Sequence, residues 1–181
     1  MKSVFPALAI AAGGLLGLAS FGAHAADGAI NVTGSLVDST CSINGTAAGT
    51  QVNPSFSLPP VSMGALKFRG ATAGLTPVTL QLTNCGGVAT RAVASFDPGV
   101  WVSGDGMLLA NRDDSNMYVQ LLNAKMQPIN ATTNANNQIA DGAAISGGAA
   151  TLQYYAQYYS VNNGENAGPV TVTTQFTMQY Q

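Results

Sequence analysis

The residues with the clearest chemical potential in this 181-residue chain are its two cysteines, Cys41 and Cys85. Two thiols can form a disulfide or contribute to a metal site. A zinc site needs further ligands, but the single histidine, His24, lies in an N-terminal segment with the features of a cleaved signal peptide. In an exported chain the leading prediction is therefore a Cys41–Cys85 disulfide, and two unrelated buried thiols are the alternative.

Groups suited to catalysis are sparse. Once His24 is removed, neither a Ser–His–Asp nor a Cys–His arrangement can form within the chain. The acidic residues are scattered, most of them beside turn-forming residues: Asp27, Asp38, Asp97, Asp105, Asp113, Asp114, Asp141 and Glu165. A glycosidase with paired carboxylates stays open as an alternative, although no motif points to it. The sequence predicts neither an enzyme nor a cofactor.

Two groups of side chains are candidates for ligand binding. Trp101 and a tyrosine-rich stretch would suit a sugar-binding platform, the tyrosines being Tyr154, Tyr155, Tyr158 and Tyr159. Neighbouring residues of a strand point in opposite directions, so we expect at least one tyrosine pair to be buried in a core instead. The acidic stretch "RDDSN", residues 112–116, lacks the spacing of a calcium loop and is interpreted as a solvated turn.

The N-terminal 25 residues have the pattern of a secretory signal peptide. A basic start is followed by an apolar run, Val4 to Leu18, and by the cleavage signal Ala23-His24-Ala25. The remaining residues 26–181 suit one domain and carry five basic against eight acidic residues, a net charge of −3. This balance argues against binding to nucleic acid or to an anionic membrane, and no later stretch is apolar enough to span a membrane.

The elements that must position these residues are predicted to be mainly β-strands. Alternating or apolar runs recur every ten to fifteen residues between turn residues, and they read "PVTLQLTNC", "RAVASF", "NMYVQLLN" and "ATLQYYAQYYS". Long stretches with helical periodicity are missing. The pattern predicts an all-β protein, an antiparallel β-sandwich.

Both ends of the mature chain are strands, and residues 28–37 and 171–181 carry neither charge nor proline to protect their edges. At the C-terminal end, "GPVTVTTQFTMQYQ" (168–181) places Val170, Val172, Phe176, Met178 and Tyr180 on one face. At the N-terminal end, Ile30, Val32 and Leu36 share a face with Gly28 and Gly34. Exposed edges of this kind invite pairing, so the two ends are expected to pair either within one chain or between chains.

The mature chain resembles the pilin subunits of chaperone–usher fimbriae, such as those of type 1 and P pili. The resemblance rests on "AINVTGSLVDSTCSI" before the first cysteine, "PVTLQLTNC" at the second, "NMYVQLLNAKMQPI" in the middle and the C-terminal stretch "LQYYAQYYSVNNGENAGPVTVTTQFTMQYQ". The last stretch has the family's terminal pattern, a tyrosine next to last and a glycine about fourteen residues from the end.

The resemblance implies an incomplete immunoglobulin-like sandwich that lacks its last strand. A periplasmic chaperone fills the resulting groove, and at the outer-membrane usher a donor strand from a neighbouring subunit replaces it, a form of strand addition. The implied divisions are a cleaved signal peptide (1–25), a donor-strand extension (26–37) and a pilin domain (38–181). The expected product is a homopolymer, an extracellular fimbria that supports cell adhesion.

The resemblance also assigns residues. Donor side chains would be Ile30, Val32 and Leu36, with Gly34 at a shallow pocket and the first pocket filled weakly, by Gly28, or not at all. The acceptor groove and chaperone-binding strand would comprise Val170, Val172, Phe176, Met178 and Tyr180, with the carboxylate of Gln181 docking on basic chaperone residues. Two alternatives remain: a minor adaptor or tip-associated subunit that binds glycans, and a self-complemented monomer.

Overall fold

A computed structural model of the chain describes residues 40–100, 102–110, 117–162 and 167–181. Within these ranges the main regular structure is β-strand, with two short 3-10 turns, Met63–Leu66 and Ile139–Asp141. The strands are β1 (Ser42–Ile43), β2 (Thr72–Thr83), β3 (Arg91–Phe96), β4 (Leu108–Leu109), β5 (Met117–Leu122), β6 (Ala143–Ala144), β7 (Ala150–Ser160) and β8 (Phe176–Tyr180).

The described strands form two antiparallel sheets. The larger sheet has the order β1-β2-β7-β5-β4, and the smaller has the order β6-β3-β8. The long strands β2 and β7 pair from Thr72 opposite Tyr159 to Leu82 opposite Ala150. The prediction of an all-β antiparallel fold is confirmed.

The core lies between the inward faces of the two sheets. In β2 the side chains of Leu80 and Leu82 are buried, and in β7 the buried positions alternate as Leu152, Tyr154 and Ala156. This alternation is the direct result of the two-residue repeat of a strand with one face on a core. The ring of Tyr154 meets Phe96 of the opposite sheet edge to face, with centroids 5.4 Å apart.

The buried Tyr154 hydroxyl links the two sheets by a hydrogen bond. The Ala94 backbone N–H of β3 donates to its oxygen at 3.1 Å. Burial raises the pKa of Tyr154 to about 12, while this hydrogen bond acts in the opposite direction. The hydroxyl is therefore held in its neutral form in the folded protein.

One end of the sandwich, which we name the disulfide pole, is closed by covalent and backbone links. Cys41 and Cys85 form the predicted disulfide. The Gly86 N–H donates to the Thr40 carbonyl, and the Cys85 N–H donates to the Gly148 carbonyl. The C-terminal strand reaches the same pole, because the Gln181 carbonyl accepts from the Arg91 N–H at 2.9 Å. Thr40, where the described chain begins, is thus anchored at this pole.

Two sequence predictions differ from the structure in extent. β8 begins only at Phe176, although the alternating pattern predicts a strand from about Gly168. Its partner β3 ends at Phe96, before Pro98, so the residues ahead of Gln175 have no ladder partner on that side. Among the four tyrosines only Tyr154 is fully buried, whereas its predicted companion Tyr158 is half-buried at the end of the sandwich away from the disulfide.

Candidate strand-acceptor groove

Strand β8 occupies the edge of the smaller sheet in the described part of the chain. It pairs with β3 along one side, from Ala92 opposite Tyr180 to Phe96 opposite Phe176. The sheet order ends at β8, so its second side has no partner strand among the described residues. A strand edge of this kind presents backbone N–H and C=O groups that another strand can bind.

The inward side chains of the C-terminal segment are only half-buried. We call this row the terminal face; it consists of Val170, Val172, Phe176, Met178 and Tyr180, and all five pack against the core. The alternate residues Thr171, Thr173, Gln175, Thr177 and Gln179 are exposed. By contrast, the neighbouring β3 buries Ala92, Val93 and Ala94 almost completely. The terminal face thus has the composition of a core face with part of its surface left uncovered.

The upstream part of the terminal face, within residues 170–174, does not pair with a strand of the smaller sheet. The last hydrogen bond on the β3 side is from the Asp97 N–H to the Gln175 carbonyl. Residues 170–174 continue the alternation of half-buried and exposed side chains without being part of a strand ladder. A strand added at the free edge of β8 would supply these residues with hydrogen-bond partners.

Tyr180 fixes the end of the terminal face at the disulfide pole. Burial raises the pKa of Tyr180, and a hydrogen bond from the Cys41 backbone acts in the opposite direction. The same contact joins the terminal face to the residue at which the N-terminal part of the chain enters the fold. The disulfide and the end of β8 therefore meet at one corner of the fold.

A cleft of about 170 Å³ opens at the other end of the terminal face. We name this end the cleft pole. Val170 lines it on the side of the C-terminal segment, and Met117 and Tyr158 line it on the side of the larger sheet. The remaining wall comes from the connection before β2 and includes Pro60, Val61, Met63 and Leu66. Its lining is predominantly apolar, which suits an aliphatic side chain.

Gly74 allows the cleft wall to approach β2 closely. It has a φ of +70°, and a Cβ there would lie 2.9 Å from Cδ2 of Tyr158 and 3.3 Å from Cγ1 of Val61. The residue lies at a break in the β2–β7 register between Ala73 and Thr76. A bulge at a residue without a side chain thus lets Tyr158 turn towards the cleft.

The predicted groove residues are brought together, since all five members of the terminal face form one row. The predicted donor residues Gly28, Ile30, Val32, Gly34 and Leu36 lie outside the described residues, as do Trp101, Glu165 and the 112–116 stretch. The residues of the cleft were missed at the sequence level. The apolar run "LPPVSMGAL" (58–66) was a possible signal, but it has no strand or helix periodicity that would assign it a face.

A second cavity, of about 150 Å³, lies beside β7. Asn123, Asn137, Asp141 and Gln153 contribute to its lining. The Asn137 amide donates to the Ala94 carbonyl and the Asn123 amide donates to the Asn136 carbonyl, so these side chains brace the 123–138 connection. Over the described ranges no cluster of His, Cys, Asp or Glu is arranged to hold a metal ion. Nor does any helix in those ranges have the length and apolarity to cross a membrane.

Comparison with known sequences identifies relatives over nearly the whole chain. The family model described as "Fimbrial protein" matches residues 30–181. The F17 fimbrial protein of Escherichia coli is 36% identical over 177 residues, covering 93% of this chain and 96% of the relative. The major fimbrial subunit SMF-1 of Stenotrophomonas maltophilia is 35% identical over 176 residues, covering 92% and 99% respectively.

Solved structures show the same fold at low sequence identity. The P pilus rod subunit PapA superposes with a TM-score of 0.59 at 17% identity, over 78% of this chain and 99% of that one. A subunit of a chaperone–usher pilus superposes with the same TM-score at 16% identity, over 86% and 96%. The two sheets described above are thus those of an immunoglobulin-like pilin sandwich that lacks its last strand. The chain belongs to the fimbrial protein family.

Proposed function

We propose that this chain is a structural subunit of a surface fimbria that polymerises head to tail by donor-strand exchange. The terminal face is the observation that carries the proposal: five side chains of the C-terminal segment pack against the core and remain half-buried. A strand with alternating apolar residues is the cover that such an edge accepts. Its source, in this proposal, is the 26–37 extension of the neighbouring subunit.

The sequence of the extension is complementary to the terminal face. Ile30, Val32 and Leu36 would enter the groove, and Gly34 would lie where the groove is shallow. Complete burial of one Ile, one Val and one Leu contributes roughly 5–9 kcal/mol. Dissociation would require the whole strand to peel away at once, so the contact would be long-lived, as a fibre requires.

The positions of the two poles favour a donated strand that runs antiparallel to β8. Each subunit enters its own fold at Thr40, at the disulfide pole. If the donated strand runs antiparallel to β8, its Leu36 reaches the cleft pole and the body of the donor lies beyond it. Each subunit then receives a strand at one pole and sends its own from the other, which builds a linear fibre. A chain that filled its own groove would instead run parallel to β8.

Before assembly, an uncovered terminal face would be an aggregation site, because apolar strand edges pair without selectivity. A periplasmic chaperone that lends a strand would prevent this, and an outer-membrane usher would exchange that strand for the next subunit's extension. The expected signal peptide, residues 1–25, would deliver the chain to the periplasm. The donor extension (26–37) and the pilin domain (38–181) would then form the exported subunit.

Within the fimbria, a position in the shaft is favoured. Among the relatives, one is named a major fimbrial subunit and one solved homologous fold is a pilus rod subunit. The 26–37 stretch would also give each subunit the donor extension that a repeating shaft subunit needs. A glycan-binding assay on purified fibres would distinguish this role from that of a tip-associated binding subunit.

Deletion of Ala26 to Leu36 tests the proposal. We expect the shortened chain to remain bound to the chaperone but to yield no fibres, when expressed with chaperone and usher and viewed by electron microscopy. The matched control substitutes alanine at Asn31, Thr33 and Ser35, which lie on the opposite face of the extension, and should keep fibre yield. Normal fibres from the deletion variant would rule out donation of this strand.

A further inference from the structure

The smaller sheet has a second edge, on the side of β3 that faces away from β8. On that side β3 pairs with β6 only at Arg91 and Ala92. The strand itself continues beyond β6 to Phe96. A strand that outruns its neighbour presents backbone N–H and C=O groups with which another strand can pair, so these groups need partners of some other kind.

The backbone groups of β3 divide between its two sides, because alternate residues of a strand in an antiparallel sheet bond in opposite directions. The Arg91 N–H and the Asp97 N–H both donate to carbonyls of the C-terminal segment. The odd-numbered residues of β3 therefore bond with β8. The backbone groups of Ala94 and Phe96 point to the other edge.

Three side chains satisfy the backbone groups at this edge. The side-chain amide of Asn134 accepts from the Phe96 N–H and donates to the Phe96 carbonyl, both at 2.8 Å. The Asn137 amide donates to the Ala94 carbonyl at 2.7 Å, and the Ala94 N–H donates to the Tyr154 hydroxyl at 3.1 Å. A carboxamide carries the C=O and N–H groups of a peptide unit, so Asn134 reproduces the two bonds of a paired strand residue.

The connection that carries the two asparagines lies tightly against β3. Asn134 has a φ of +54°, a left-handed conformation that asparagine tolerates. Asn137 is only 2% exposed, and its amide also donates to the Asn134 side-chain oxygen at 3.1 Å. Farther along, a Cβ at Gly142 would collide with the Ala92 carbonyl, so a residue without a side chain permits the close approach.

The other sheet edges in the described part of the chain are short. Strands β1 and β4, at the two edges of the larger sheet, have two residues each, and so does β6. Very short edge strands offer little to pair with. Strand β8 differs from them, because it is five residues long and its second side has no partner strand among the described residues.

We propose that Asn134, Asn137 and Tyr154 determine where a strand adds to this domain, by closing the β3 edge so that an incoming strand pairs only with β8. The inference rests on the donor-strand assembly proposed above and names the residues that give it specificity. All three are positioning residues that act through the backbone of β3. Without them the smaller sheet would accept a strand at either edge, and fibres would acquire side attachments.

Assembled fibres test the proposal, because donor strands already cover β8 in them. Fibres of the full chain are incubated with a synthetic peptide of residues 26–37 that carries a photoreactive group, and cross-linked segments are located by tandem mass spectrometry. Asn134→Leu removes both hydrogen-bonding groups at similar side-chain size. Unsubstituted fibres should take up almost no peptide, and Asn134→Leu fibres should take up at least about fivefold more, cross-linked to residues 91–97 or 134–144.

Asn136→Leu is the matched control. Asn136 also has a left-handed φ, +63°, but its amide donates to the Pro128 carbonyl. Leucine is therefore strained to a similar degree at both positions, and the control fibres should take up no more peptide than unsubstituted ones. Equal uptake by the two variants would overturn the proposal. Cross-links of unsubstituted fibres to residues 176–180 would instead show an uncovered β8 and contradict donor-strand assembly.

Amide hydrogen exchange of the unsubstituted chain tests the closed edge without relying on a variant that must fold. The N–H groups of Ala94 and Phe96 should exchange within about tenfold of those of Val93 and Ser95, which face β8. Tyr154→Phe should speed exchange at Ala94 about fivefold and leave Phe96 unchanged. Exchange at Ala94 and Phe96 that is about a hundredfold faster than at Val93 and Ser95 would mean that the β3 edge is open, which would overturn the proposal.

Discussion

Individual side chains divide the two terminal segments into a face for packing and a face for solvent. In the C-terminal segment the division is visible in the structure, with half-buried residues such as Met178 alternating with exposed ones such as Gln179. In the N-terminal extension the same division is a proposal, with Ile30 and Val32 towards the groove and Asn31 and Thr33 towards solvent. Substitutions at neighbouring positions should therefore have very different effects.

Gly34 and Thr33 offer the sharpest such comparison. Gly34→Arg should abolish fibre formation, because a long charged side chain at the shallow part of the groove would clash and lose its hydration. Thr33→Arg introduces the same charge one residue away, on the solvent side, and should leave fibre yield near normal. Fibre yield per cell, measured by electron microscopy and by the subunit content of sheared fibres, provides the comparison. Equal yields from both variants would show that Gly34 faces no pocket.

The ionisation of Tyr154 should lower the stability of the domain at alkaline pH. Its pKa is about 12 in the folded protein, against 10 as the ordinary value, mainly because of burial. Because the pKa of Tyr154 is higher in the folded than in the unfolded protein, its neutral form stabilises the fold. This stabilisation is fully present below about pH 10 and is lost as the pH rises through about 12. A shift of this size corresponds to about 2–3 kcal/mol.

Thermal unfolding between pH 8 and 11.5 measures this contribution. The melting temperature of the disulfide-intact chain should fall steeply above about pH 10, and Tyr154→Phe should show a shallower fall. At neutral pH the variant should be destabilised by about 1 kcal/mol, because the Ala94 N–H loses its acceptor. Identical pH profiles for both proteins would mean that Tyr154 ionises as an exposed phenol does.

Strand β8 pairs with β3 along its whole length on one side, and its other edge has no partner strand among the described residues. Phe176→Ala should lower the free energy of unfolding by about 3 kcal/mol or more, because the bound donor peptide completes the burial of the ring. Thr177→Ala, on the exposed face, should change it by less than about 0.5 kcal/mol. Urea unfolding of the subunit, bound to a synthetic peptide of residues 26–37, measures both. Equal losses would contradict the assignment of faces.

Elements that a local sequence pattern defines could be predicted from the sequence, whereas features that depend on tertiary contacts could not. β3 and β7 coincide with the predicted stretches "RAVASF" and "ATLQYYAQYYS", because alternation and flanking turn residues mark both ends. β8 is shorter than predicted, since its ladder stops where β3 meets Asp97 and Pro98. The cleft was unpredictable, because it joins the irregular 60–66 stretch with Met117, Tyr158 and Val170, which are distant in sequence.

For the whole molecule, the disulfide joins the entry of the chain to the end of the β2 strand. The loop it closes has a sequence separation of 44 residues. In the chain-entropy model such a loop contributes about 4 kcal/mol, so the double variant Cys41→Ser/Cys85→Ser should lose stability of that order. Urea denaturation of the peptide-bound subunit, compared with the oxidised parent, gives the difference. A loss below about 1 kcal/mol would show that hydrogen bonds alone hold the disulfide pole.

In the proposed assembly the molecule as a whole would act as a link with two different ends, a cleft pole that accepts a strand and a disulfide pole that sends one. Solid-state NMR on fibres of mixed chains, half labelled with heavy nitrogen and half with heavy carbon, tests this directly, because contacts between the two labels arise only between chains. Cross-peaks should join residues 30–36 to residues 172–180, in an antiparallel register with Leu36 towards Val172. If these cross-peaks appear only when single chains carry both labels, each chain fills its own groove and head-to-tail strand donation is wrong.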